Sequence, residues 1–471
     1  MRPAFLLFST LAIVAFGPDC ARAQVDDRTY GEAASSQPSE EQILSNQAAN
    51  IFFLMQGTEG VEVEDIFSAQ FLTAVPAAQL TLMFDQIQQQ FGPVLSVYAV
   101  ERTGPYRARV SFRFETAVGS GDLVLNPAAP HRIEGLLLND FEVTGDEIGA
   151  IKADLEALPG EVGVYFGSLD GSYPRLEINA DTQLAIGSTF KLYVLSALTR
   201  EMEEDNGRYW DEIFLVGDVC LQTRCEKTGR SFPSGIIQDW PAPLPMTIQS
   251  LATLMISQSD NTATDALIEY LTEERVVREM IESGHSAPQL NQPFLTTQQM
   301  FKLKASSDDV IEAYRKADLE EKYEIAWAAQ DREITQDDVN ASFAAGPRAI
   351  DIEWFASAHD LRRLLAYIPQ DKHGITRQIL AIQPSVSPKA AANYGPIFYK
   401  GGSEPGVLNY TWLLRSIYGW EVLTMSWNNP DAVLGEGRFH FLAQRLLALP
   451  PQAYGDKSEV SVPLALEVER P

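Results

Sequence analysis

Ser188-Thr189-Phe190-Lys191 stands at the head of an apolar, helix-compatible run, Leu192 to Leu198. Residues three apart share a helix face, which brings the Lys191 amine within reach of the Ser188 hydroxyl. A serine hydroxyl is a weak nucleophile until a base takes its proton. Lysine can be that base only when burial or a neighbouring positive charge lowers its pKa, because an ammonium has no lone pair to offer. Lys400 is a candidate for the neighbouring charge. The start of a helix at Ser188 would add free N–H donors and a positive dipole end where an oxyanion develops. This chemistry is acyl transfer through a serine ester.

Two further polar elements follow at domain-scale distances. Ser259-Asp260-Asn261 ends an apolar stretch with helical spacing, Thr247 to Ile256, and a new helical pattern runs from Thr264 to Leu271. The triplet therefore falls in a short break between two helices, where side chains can point into a cleft. Lys400-Gly401-Gly402-Ser403 follows the strand-like run Pro396-Ile397-Phe398-Tyr399, and a second such run, Val407 to Leu414, lies beyond the Pro405-Gly406 turn. The glycines, Gly402 among them, let a ligand approach the backbone closely. The Ser403 N–H is a candidate second oxyanion donor beside that of Ser188. Taken singly, each element has an ordinary reading as a helix start, a helix cap or a hairpin turn. Their order and contexts together favour a serine active site.

On these motifs, residues 146–449 resemble the class A β-lactamase and penicillin-binding-protein family, whose signature is S-x-x-K, S-D-N and K-T-G. The resemblance implies an antiparallel sheet flanked by helices, with an all-helical subdomain. It also implies roles: Ser188 as nucleophile, Lys191 as its proton acceptor, Ser259 as proton shuttle, Asn261 as orienter of substrate and Lys191, and Lys400 as holder of the substrate carboxylate. Two departures stand out. The third motif reads Lys400-Gly401-Gly402, so the family's hydroxyl after the lysine is missing. The loop glutamate of an E-x-x-L-N string, which activates the deacylating water, has no counterpart between Asn261 and Lys400. Ala287-Pro288-Gln289-Leu290-Asn291 keeps the last two residues but puts alanine at the acid, and Glu353 in Ile352-Glu353-Trp354-Phe355 is the other acid to weigh. General base assistance is worth about 10²–10⁴-fold, so acylation is expected to survive while hydrolysis of a stable acyl ester is slow.

The chain begins with a charged start, Met1-Arg2, an apolar core, Ala4 to Phe16, and a small-residue cleavage pattern, Ala21-Arg22-Ala23. That reads as a signal peptide, residues 1–23, and hence a periplasmic or secreted protein. The apolar run is too short to span a bilayer, so no stable membrane insertion is expected after cleavage. Cys220 and Cys225 are placed to close a tight disulfide loop in an oxidising compartment, with a metal pair as the alternative. The five histidines are scattered without ligand spacing, and neither a metal nor a cofactor is expected. A formal net charge of −28 argues against nucleic acid as a partner. The expected partner is a small molecule, a β-lactam or an ester.

Ahead of this domain, residues 24–40 read as a flexible leader. Helical patterns at 41–57 and 76–90 precede strand signals at Val94–Val100, Tyr106–Thr116, Gly121–Leu125 and His131–Leu138, with turns placed at Thr103-Gly104-Pro105 and Gly119-Ser120-Gly121. Residues 41–143 thus resemble the cone-shaped α+β fold of steroid isomerases and polyketide cyclases. Such a domain before a β-lactamase-like one resembles a family of two-domain serine hydrolases that includes an esterase-like protein of the clavulanic acid gene cluster. The whole chain reads as α+β, with a C-terminal tail at 450–471. A reading from another class, a non-catalytic sensor whose pocket binds cell-wall fragments or antibiotic without turnover, stands beside the hydrolase.

Overall fold

The computed structural model describes residues 38–58, 60–143, 146–204, 209–216, 219–221, 224–226, 231, 233–241, 243–368 and 374–453, with backbone alone at 219–221 and 224–226. The segment expected to be a signal peptide, most of the expected leader and the tail beyond residue 453 lie outside the described residues. The chain divides into two compact units between Asp146 and Glu147.

The first unit opens with helix Glu40–Met55, started by a capping box in which Ser39 Oγ accepts from the Gln42 N–H and Gln42 Oε1 from the Ser39 N–H. Its buried stripe is Ile43, Leu44, Ala48, Ile51 and Met55. Helix Ala77–Phe91 follows, and then a four-stranded antiparallel meander in simple sequential order, Val94–Gly104, Arg107–Phe114, Ala117–Leu125 and Ile133–Val143. The second strand alternates: Ala108, Val110, Phe112 and Phe114 are buried, with burial worth on the order of 1.5–3 kcal/mol for each of the larger apolar side chains. The turn expected at Gly119-Ser120-Gly121 is instead strand interior, with a bulge between Ser120 and Gly121. A Cβ at Gly121 would overlap the Leu137 carbonyl, so glycine here serves close strand approach and not a reversal.

The second unit is built on a five-stranded antiparallel sheet ordered Ile397–Glu404, Val407–Ser416, Gly419–Asn428, Glu161–Ser168 and Pro174–Ile178. Both faces of the sheet are covered. On one, helices Ile148–Glu156 and Glu436–Ala448 bury Ile151, Leu155, Phe439 and Leu446 against Val164, Phe166, Trp412 and Met425. On the other lies the larger helical layer, with helix Lys191–Glu204 at its centre, eight of whose residues from Leu192 to Thr199 are buried in succession. A helix apolar all round in this way is a core helix, and its first residue is consequently fixed in depth.

Candidate active site

Ser188 does not open the α-helix directly. It lies in a 3₁₀ turn, Gly187–Phe190, that leads into helix Lys191–Glu204. The reversal into this turn needs Gly187 at φ +48°. Phe190 anchors the turn by stacking on Trp354 with ring centroids 3.8 Å apart, and the Ile186 N–H donates to the Trp354 carbonyl at 3.0 Å. Ser188 itself stays partly accessible, and among the described residues its hydroxyl makes no hydrogen bond.

Lys191, fully buried, is the geometric centre of the site. Its Nζ donates to the Ser259 carbonyl at 2.7 Å and to Asn261 Oδ1 at 2.7 Å, and it meets Ser259 Oγ at 3.2 Å. Lys400 Nζ reaches the same Ser259 hydroxyl at 3.1 Å and caps the Gly401 carbonyl at 2.5 Å. The hydroxyl of Ser259 thus joins two buried lysines. Burial first, and the Lys400 charge second, hold Lys191 well below the ordinary lysine pKa, while Asp265 and Asp260 pull the other way. Burial pushes Lys400 down to about 7.

The Ser-Asp-Asn segment is the break between helices Ile248–Ser257 and Asn261–Leu271. Ser259 occupies the left-handed region at φ +52°, a conformation that a non-glycine residue holds at a cost of about 1–3 kcal/mol. Asp260 makes this possible. One of its oxygens caps the second helix through the Ala263 N–H at 2.8 Å, and the other takes the Ile236 and Ile237 N–H groups at 2.6 and 2.9 Å. One turn on, Asp265 receives the Thr297 and Gln298 N–H groups at 2.7 and 2.9 Å, which seats helix Thr297–Lys304 beneath Asn261.

Strand Ile397–Glu404 runs along the serine turn at the edge of the sheet. A Cβ at Gly402 would overlap the Ile186 carbonyl and stand 2.6 Å from the Ser188 nitrogen and 2.8 Å from that of Thr189. A Cβ at Gly187 would stand 3.1 Å from the Ser403 nitrogen. The strand and the serine turn therefore approach backbone to backbone, with the Ser188 and Ser403 nitrogens on either side of the contact. The hydroxyl missing at Gly401 has a steric reason: a Cβ there would overlap the Tyr399 hydroxyl and stand 3.3 Å from the Asn409 carbonyl.

Neither the Ala287–Asn291 string nor Glu353 presents a carboxylate to Lys191. Asn291 receives the Phe355 N–H at 2.8 Å and donates to the Phe355 carbonyl at 3.1 Å. Glu353 accepts from Lys304 at 2.7 Å. Among the described residues no carboxylate hydrogen-bonds to Lys191. The Cys220 and Cys225 side chains lie outside the described residues; their backbones face each other in a short antiparallel pair. Sequence reasoning offered the Ser259–Asn261 triplet as a helix cap but did not see that Asp260 also braces Ser259 through the Ile236 and Ile237 amides. It missed Asp265 and Trp354, which carried no signal.

Residues 148–368, which carry Ser188, Lys191 and Ser259–Asn261, match the sequence model of the beta-lactamase enzyme family. No curated protein matches this sequence. Among solved structures, a beta-lactamase from Sphaerobacter thermophilus is 18% identical, covers 64% of this chain and 98% of its own, and superposes with a TM-score of 0.42. A protein named PBP-A is 17% identical with 64% and 93% covered and a TM-score of 0.41. A beta-lactamase from Desulfarculus baarsii is 15% identical with 64% and 95% covered and a TM-score of 0.43. Residues 148–368 are in this sense similar to the beta-lactamase enzyme family.

Proposed function

We propose that the chain is an exported serine hydrolase that forms an acyl-enzyme at Ser188, acting on β-lactams or small esters and releasing the acyl group slowly. The observation that carries this reading is the buried Lys191 with its two strong acceptors. A neutral amine has two N–H groups and one lone pair. The two N–H groups suit the Ser259 carbonyl and Asn261 Oδ1, both at 2.7 Å, and leave the lone pair for a hydroxyl. Lys191 takes the Ser188 proton as Oγ attacks the carbonyl carbon, and the Ser188 and Ser403 amides hold the oxyanion. As the tetrahedral adduct collapses, the carbonyl–nitrogen or carbonyl–oxygen bond breaks. The proton passes from Lys191 through Ser259 Oγ to the leaving group, and Lys400 holds a substrate carboxylate.

Slow release is supported by the partners of Lys191, which among the described residues are a carbonyl, a hydroxyl and an amide, with no carboxylate bonded to it to activate water. Export is supported by the charged and apolar start of the chain. For the first unit, helices followed by an antiparallel meander support a steroid-isomerase-like fold.

Intact-mass spectrometry after exposure to a penicillin and to a p-nitrophenyl ester tests the reading. The expected result is a single adduct that disappears in Ser188→Ala, with a chromogenic cephalosporin opened in near-stoichiometric amounts. No adduct and no ester cleavage would remove the hydrolase; binding without covalent change would leave a sensor.

A further inference from the structure

Lys304, at the end of helix Thr297–Lys304, is fully buried. Its Nζ donates to Glu353 Oε1 at 2.7 Å and to Glu404 Oε1 at 2.5 Å, and the two carboxylates are 1% and 4% exposed at the side chain. Three ionisable groups share one buried space. Desolvating such groups costs several kcal/mol each, and apolar replacements are often as stable, so fold stability alone does not account for the cluster.

Its position does. Glu404 follows Ser403 on the strand that lies against the serine turn. Glu353 precedes Trp354, whose carbonyl and ring hold Ile186 and Phe190 on either side of Ser188. Glu353 Oε2 also takes the Trp354 N–H at 3.1 Å. Lys304 therefore ties together the two segments that set the distance between the Ser188 and Ser403 amides. Its own helix is seated on Asp265, one turn from Asn261. We propose that Lys304, Glu353 and Glu404 form a buried clamp that holds the Ser403 amide against the serine turn, as positioning residues for the oxyanion site. The catalytic half of this inference rests on the acyl-enzyme reading; the mechanical half does not.

The charge state follows from the surroundings. With both carboxylates ionised the cluster would carry one uncompensated negative charge. Burial first, and the Glu353 charge second, hold the Glu404 carboxyl well above its ordinary range, reinforced by a hydrogen bond between the two carboxyl side chains and opposed by Lys304. Lys304 is itself held above its ordinary value by the two acids, against burial. Around the cluster, Arg348 binds the Lys304 carbonyl at 2.6 Å and Asp308 at 2.9 Å, and Asp351 is taken by Arg315 in two bonds of 2.6 and 2.7 Å. The clamp is therefore neutral with Glu404 protonated, and rising pH loosens it by ionising Glu404.

Amide hydrogen exchange on the full chain, corrected for the intrinsic pH dependence, tests this in wild type, Lys304→Met and Glu404→Gln. In Lys304→Met, segments 187–190 and 397–404 are expected to exchange about tenfold faster or more, with the central strand Gly419–Asn428 unchanged. Glu404→Gln, locked in the neutral form, is expected to keep its protection at alkaline pH where wild type loses it. Unchanged protection in Lys304→Met, or a loss spread evenly over the sheet, overturns the clamp. If Lys304→Met does not fold, matching alkaline behaviour of Glu404→Gln and wild type overturns it instead. Acylation adds the catalytic arm. Lys304→Met is expected to acylate about 10- to 100-fold more slowly, less than the ~10²–10³-fold for losing an oxyanion donor outright, with the acyl-ester carbonyl stretch moved to higher frequency. An unchanged rate and stretch overturn the positioning role. No adduct in wild type defeats the hydrolase reading, and the exchange data still decide the clamp.

Discussion

Two lysines compete for one hydroxyl in this site, and under the proposed acyl-enzyme chemistry their titration sets how acylation depends on pH. Lys191 accepts a proton only when neutral, so acylation rises with pH through its lowered pKa, by about tenfold per unit on the acid side for a single proton. Lys400 holds an anion only when charged, which it is below about 7. A carboxylate-bearing β-lactam should therefore give a bell-shaped acylation profile, whereas a neutral ester should show only the rising limb. Stopped-flow acylation across pH with both substrates checks this; the same falling limb for the neutral ester would take Lys400 out of anion binding. Lys400→Met removes the charge that depresses Lys191, so the rising limb should move to higher pH. A limb that stays put would mean that burial alone tunes the base.

At the scale of elements, the site depends on how closely an edge strand approaches a 3₁₀ turn. Gly402→Ala places a methyl against the Ile186 carbonyl and two amide nitrogens, all backbone that cannot yield cheaply. Overpacking of this kind costs about 1–3 kcal/mol, and the displaced strand should lower acylation by about 10²-fold, as for a weakened oxyanion donor. Thermal unfolding and burst kinetics measure the two effects; a variant acylating at the wild-type rate would show that the Ser403 amide is not used. Gly401 answers to a different neighbour, because Tyr399 fills the space a side chain would need. Gly401→Thr, which supplies the hydroxyl of a K-T-G motif, should lower the melting temperature, and Tyr399→Leu in the same chain should recover part of the loss. The coupling in a double-mutant cycle should be favourable, in the range of about 0.5–3 kcal/mol for residues in contact. Additive effects would refute the steric account.

For the whole molecule, the net charge of −28 sets a repulsive field that an anionic substrate crosses before it meets Lys400. The Debye length shrinks from about 30 Å at 0.01 M salt to about 10 Å at 0.1 M, so added salt should speed acylation by an anionic β-lactam and leave a neutral ester unaffected. Equal salt responses would mean the field is screened locally at the site. The same division between near and far decides what could be read from residue order. Ser188 with Lys191 and the Ser259–Asn261 break are written in neighbours two or three positions apart, where chain geometry alone sets which side chains meet. The Gly119–Gly121 segment misled because glycine in a turn and glycine at a bulge look alike until the partner strand is present. The depressed pKa of Lys191, the steric exclusion at Gly401 and the meeting of Lys304 with Glu353 and Glu404 arise only when segments far apart in the chain exclude water together. Desolvation and summed charge belong to the assembled interior, and no local pattern encodes them.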